Sequence, residues 1–294
     1  MPRWGMFPVL LRESLTKDAR PREPEPDLVM DGGEQVDAFV EAGRIDGVMA
    51  ASYLFNTARI TATIHGCGTV VDLGCGPATQ LAQVAQFNPD TSFIGVDLSA
   101  GMLDNAKAYV KQVGVSNIRF VQDDFSRLSQ IPDRSADGVI STLALHHLPT
   151  HQHLRECFRQ IARILRAGGA VYLVDLGRLK SLKSIIYFAY MNAAHQPHIF
   201  SLDYERSLRA AFLREDFEAL AREHLAPDVR VYSTFKIPVL HIVKTPDRNL
   251  PANVAARLRD AREQLVSKYR GDLDLIRRLI RMGGLEGDPF GRPA

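Results

Sequence analysis

The feature that most constrains this chain is a regular alternation of short apolar segments with helical ones, beginning at Val70-Val71-Asp72-Leu73 and running to Val174. The first segment ends in an acid and leads through Gly74-Cys75-Gly76-Pro77-Ala78, a G-x-G turn into a helix. Pro77 is expected in that helix's first turn, where its missing N–H is harmless. Ser92 to Val96, Ile118 to Val121, Gly138 to Ser141 and Val171 to Val174 read as further strands, with helices over Gly101 to Val113 and His151 to Leu165. Near-continuous apolar strands alternating with helices require a parallel sheet covered on both faces. Beyond it, Asp203 to His224 reads as one or two helices, and Val229 to Phe235 with Pro238 to Val243 as an antiparallel hairpin at the sheet edge.

Composition narrows the class. With 294 residues, 46% of them apolar, the chain can bury a core for one large domain or two small ones, and the single alternating series selects the first. Its 36 basic and 34 acidic side chains leave a net charge of +2, which argues against a general nucleic-acid binder. That surplus is local: from Lys244 onward the chain carries 11 basic and 7 acidic residues, a net of +4. Cys67, Cys75 and Cys157 form no C-x-x-C pair and suggest neither a disulfide framework nor a zinc site, so a reducing cytoplasm is the expected location and no metal is expected.

The chain reads as a flexible leader (1–30), in which Pro21, Pro24 and Pro26 sit among alternating charges, then an N-terminal helical cap (31–66). The sheet domain (67–246) follows, with 181–202 as a lid over a substrate, and a basic amphipathic helical tail (247–294) comes last. The lid segment is aromatic, but Asn192, His195, Gln196, Pro197 and His198 exclude a membrane span. In the tail, Leu265, Tyr269, Leu273, Ile276, Leu279 and Ile280 make an apolar stripe that can dock on its own domain, on a second copy as a homodimer, or on an anionic membrane surface.

Five motifs occur in order between Thr69 and Leu176: VVDLGCGPA, FIGVDLSAGML, VQDDF, GVISTLALHHLP and RILRAGGAVYLVDL. In these the chain resembles the class I S-adenosylmethionine-dependent methyltransferases, specifically the small-molecule, UbiE-like kind. The resemblance implies a Rossmann-like α/β fold: a seven-stranded, mostly parallel sheet with an antiparallel last strand, helices on both faces, and extra N- and C-terminal helices. It implies S-adenosylmethionine as cofactor, S-adenosylhomocysteine as product, and transfer of a methyl group to the O, N or C of a small, apolar or aromatic metabolite by in-line displacement. Carried over, Asp72, Gly74, Cys75 and Gly76 surround the methionine part and Asp97 accepts from both ribose hydroxyls. Leu98 and Met102 pack on the adenine, Asp124 and Phe125 meet its edge, and Thr142 lies beside the sulfonium. Asp123, adjacent to Asp124, is the other candidate for the adenine contact.

His146 and His147 are weak candidates for a general base, because an unperturbed imidazole titrates near neutrality, and a structural role is open beside it. Tyr53, Tyr187, Tyr190, Met191 and His195 are the substrate-side candidates, and Tyr53 with Asn56 can close the cofactor mouth. Three other functions stay open: a non-catalytic cofactor-binding sensor or scaffold, an RNA-modifying methyltransferase using the basic tail, and a nicotinamide oxidoreductase. The last is disfavoured because Thr79 stands where G-x-G-x-x-G needs its third glycine.

Overall fold

The computed structural model describes residues 6–26 and 47–291. Among them a single seven-stranded sheet runs in the order β3-β2-β1-β4-β5-β7-β6. Its strands are β1 (Thr69–Leu73), β2 (Ser92–Asp97), β3 (Ile118–Gln122), β4 (Ala136–Thr142), β5 (Leu165–Leu176), β6 (Arg230–Ser233) and β7 (Leu240–Lys244). All neighbours pair in parallel except β7, which lies antiparallel between β5 and β6. The sheet and its antiparallel hairpin are therefore as the alternation requires.

Helices cover both faces. α1 (Met6–Leu15) and α2 (Ala50–Ile64) precede the sheet; α3 (Thr79–Phe87), α4 (Ala100–Gln112) and α5 (His151–Ile164) connect its parallel strands. α6 (Leu182–Tyr190), α7 (His198–Ala210) and α8 (Arg214–His224) lie between β5 and β6, and α9 (Ala252–Gln264) and α10 (Ser267–Met282) close the described chain. One core layer joins α2, α3, α4 and the tail helices to one sheet face, and a second joins α5 and α8 to the other. No helix among the described residues is long and apolar enough to cross a membrane.

Two expectations change. Pro77 lies outside the helix: α3 starts at Thr79, after Ala78 takes a left-handed φ of 59°. The leader is not loose over residues 6–26. Val9 of α1 is buried among Leu176, Leu179 and Ile185, and the buried Glu13 carboxylate accepts from the backbone N–H of Lys180 and Ser181, just ahead of α6. The cap is described only from Gly47, and the expected helix before it lies outside the described residues. The tail's apolar stripe is occupied within the chain: Leu273 and Ile280 are fully buried in the core shared with α2, each contributing about 2 kcal/mol.

Candidate active site

The strand order reverses at β1, which pairs with β2 on one side and β4 on the other, so a crevice opens at the carboxyl ends of these strands. The residues ending β1, β2 and β4 are the ones that line it, because the parallel sheet aims every strand end the same way. Asp72, Gly74, Cys75, Gly76, Asp97, Leu98, Met102, Asp124, Phe125 and Thr142 all border one cavity of about 300 Å³.

The turn after β1 is shaped for close approach. Gly74 (φ 71°) and Gly76 (φ 51°) adopt left-handed backbone, and the Gly74 and Cys75 N–H groups both donate to the Val96 carbonyl. A side chain at Gly74 would collide with Ala144 at 2.4 Å, whereas at Gly76 there is open space. Asp97 Oδ2 accepts from the Gly76 N–H at 2.8 Å and Oδ1 from the Ser99 N–H at 3.0 Å, which orients the carboxylate. Burial raises the Asp97 carboxyl above its ordinary value, and the hydrogen bonds from Ser99 and Gly76 oppose it. Asp72 is buried without a hydrogen-bond partner among the described residues; burial first, then repulsion from Asp97, pushes it well up. The buried Thr79 Oγ1, Gln80 Oε1 and Thr142 Oγ1 also border the cavity without partners. Such groups cost stability until a ligand meets them.

Asp123 and Asp124 separate cleanly. Asp123 locks its own loop, accepting from the Asp124 and Gln130 N–H groups and from Ser129, while Asp124 borders the cavity. The predicted mouth divides too: Tyr53 borders the cavity, but Asn56 is buried and accepts from the Tyr172 hydroxyl at 3.0 Å.

A second, mostly apolar chamber of about 230 Å³ adjoins the first, walled by α6, α7, α10 and the β6–β7 turn. Leu143 and His147 border both spaces. Met191 lines this chamber, whereas Tyr187, Tyr190 and His195 line neither cavity; Tyr187 packs edge-on against Phe188 at 5.4 Å.

The two histidines have different surroundings. His146 is buried and clamped by Asp175 at the end of β5: its N–H donates to Oδ2 (2.7 Å) and its Nδ1 meets Oδ1 (2.6 Å). Burial opposes a charge on His146, but Asp175 outweighs it and the imidazole is raised above its ordinary value. His147 Nδ1 instead meets the Glu25 carboxylate at 2.6 Å. Sequence reasoning missed Glu25, which sits in a charged, proline-flanked stretch that reads as solvated. Its neighbour Arg22 fixes that stretch by donating to the carbonyls of His146, Leu148, Pro149 and Ala210 at 2.5–2.9 Å, with its guanidinium over the Phe212 ring. Asp175 carried a faint signal, as an acid closing an apolar strand.

A methyltransferase domain family matches residues 70–169, the stretch that builds the crevice. A trans-aconitate 2-methyltransferase of Deinococcus radiodurans is 43% identical over 105 residues, 35% of this chain and 35% of that protein, so the chain spans about a third of that relative's length. The fold is that of class I S-adenosylmethionine-dependent methyltransferases. An O-methyltransferase family protein from Burkholderia thailandensis superposes with a TM-score of 0.54 at 18% identity, over 84% of this chain and 69% of that one. The plantazolicin methyltransferase BpumL, solved in complex with SAH, does so with a TM-score of 0.53 at 14% identity, over 82% and 98%.

Proposed function

We propose that this protein is an S-adenosylmethionine-dependent methyltransferase that holds its cofactor in the crevice at β1 and a neutral, apolar small molecule in the adjoining chamber. The observation that carries the reading is the shared wall: Leu143 and His147 border both spaces, so the contents of the two can meet. The crevice fits the cofactor by its chemistry. Asp72 is a buried carboxylate lacking a partner among the described residues, suited to an ammonium group, and Asp97 is an oriented acceptor suited to a pair of hydroxyls. Gly76 leaves open space for backbone contact, and the unpartnered Thr79, Gln80 and Thr142 oxygens await polar atoms.

When bound, the cofactor supplies a methyl group on a positively charged sulfur, so the chain's own task is to align an acceptor and exclude water. The chamber does this with apolar walls such as Phe188, Met191, Phe200, Ile237 and Leu240. Among the described residues its charged lining is acidic, Asp203 and Asp272, beside the two histidines, and no lysine or arginine borders it. This favours a neutral acceptor over an anion such as trans-aconitate, the compound in the relative's name. The test is transfer of a labelled methyl group from S-adenosylmethionine to matched panels of neutral aromatic compounds and aliphatic carboxylates. The neutral panel is expected to be methylated; preference for the carboxylates would contradict the reading of the chamber.

A further inference from the structure

His147 and Glu25 form a half-buried acid–base pair at the wall between the two spaces. Glu25 arrives from the segment fastened by Arg22, and its carboxylate bridges three groups. Oε2 meets His147 Nδ1 at 2.6 Å, Oε1 accepts from the Ser207 hydroxyl at 2.7 Å, and Oε1 lies 3.9 Å from His146 Nε2. His146 is already committed to Asp175 through both its N–H and Nδ1, so it serves as a fixed support. In His147, by contrast, Nδ1 is held and Nε2 has no hydrogen-bond partner among the described residues. A histidine anchored at one nitrogen by a carboxylate, with the other free beside a reaction space, is the arrangement that makes imidazole an oriented proton acceptor.

We propose that His147 is the general base, that Glu25 is its positioning residue, and that the acceptor accordingly carries a weakly acidic hydroxyl, of the phenol or enol class, on an apolar body. This rests on the reading of the two cavities given above. A neutral amine has a free lone pair and needs no base, and a carboxylate has already lost its proton. A phenol, with a pKa of about 10, is the acceptor that gains from a neutral imidazole beside it. In the step, His147 Nε2 takes the hydroxyl proton as the oxygen's lone pair forms the new O–C bond. The old C–S pair returns to sulfur, and the positive charge passes from sulfonium to imidazolium, which then releases the proton to water.

The charged and titratable groups around His147 are Glu25 from the N-terminal segment with Arg22 beside it, His146 with Asp175 behind it, Asp97 from β2 and Asp203 from α7. Burial would raise the Glu25 carboxyl, but the hydrogen bond and charge of His147, with His146, hold it down at about 2. It is therefore ionised at any working pH, and it stabilises the protonated imidazole. Replacing it with neutral Gln removes the charge that supports an imidazolium at this position, and the acid limb of kcat/KM is expected to move to lower pH.

The experiment has three arms on the full chain. Calorimetry with S-adenosylhomocysteine reports cofactor binding for wild type, Glu25→Gln, His147→Ala and His147→Gln. Proton NMR of the S-adenosylhomocysteine complex follows the titration of His147. Methylation of phenol, 4-chlorophenol and 4-nitrophenol is measured across pH. Expected are retained S-adenosylhomocysteine binding in all variants, a kcat loss of about a hundredfold or more in both His147 variants, and a loss that shrinks as the phenol becomes more acidic. In Glu25→Gln, the imidazole signals of His147 should change from wild type and the acid limb should move to lower pH. Identical dependence on phenol acidity in wild type and His147→Ala, or an acid limb unmoved in Glu25→Gln, would overturn the proposal. So would binding of S-adenosylhomocysteine without methylation of any phenol. Absence of S-adenosylhomocysteine binding by wild type would instead overturn the cofactor reading beneath it.

Discussion

The two glycines after β1 have the same left-handed backbone but opposite surroundings, and this separates folding from binding. Gly74→Ala would drive a methyl group into Ala144, on top of the left-handed strain, and is expected to cost several kcal/mol, read as a large fall in melting temperature. Gly76→Ala meets nothing and should cost only the strain, about 1 kcal/mol, yet its methyl group would occupy cavity space and weaken S-adenosylhomocysteine binding. Equal melting temperatures for the two variants would refute this division. That Asp72, Asp97 and Thr142 share one crevice was legible in the sequence because each stands at or beside the end of a strand, and strand ends in a parallel sheet converge; their cofactor roles came from the resemblance alone. Glu25 was not, since its position depends on where Arg22 finds four carbonyls contributed by segments 120 or more residues away.

Among the elements, the hairpin of β6 and β7 is the joint between sheet and tail. Gly283, after α10, sits so close to Ser233 of β6 that an added Cβ would lie 1.8 Å from its carbonyl oxygen, and the Phe235 N–H donates to the Leu279 carbonyl. Gly283→Ala is therefore expected to pry α10 off the hairpin, which limited proteolysis would detect as faster cleavage after residue 244. His241 of β7 is buried beside Ser233, and burial, aided by Arg214, lowers its imidazole from 6.5 to about 4. The unfolded chain thus binds the proton first. The neutral form's stability is complete above pH 6.5 and is lost as pH falls toward 4, up to about 3 kcal/mol. His241→Gln should flatten this part of the stability–pH curve, and an unchanged slope would show that another group governs it. The hairpin was readable from its two β-rich runs. The start of α3 was not, because the left-handed turn at Ala78 moves Pro77 outside the helix, and no residue type there announces it.

At the scale of the whole molecule, the sheet brings every strand end of the motif series to one crevice, and the additions on either side build the second space. α6 and α7 roof it, α10 closes one wall, and the N-terminal segment brings Glu25 to its edge. The seven strands could be read from the alternation and the two β-rich runs after it, which are local properties of the chain, whereas their spatial order could not. The chamber could not, because its walls come from segments spread from Met6 to Leu279 whose meeting is set by packing. The most direct measurement of the account is calorimetric titration of the full chain with S-adenosylhomocysteine. One saturating site in the micromolar range is expected, with affinity reduced about ten- to a hundredfold in Asp97→Ala, which removes the oriented carboxylate. No heat of binding for wild type, or equal affinity in Asp97→Ala, would contradict it.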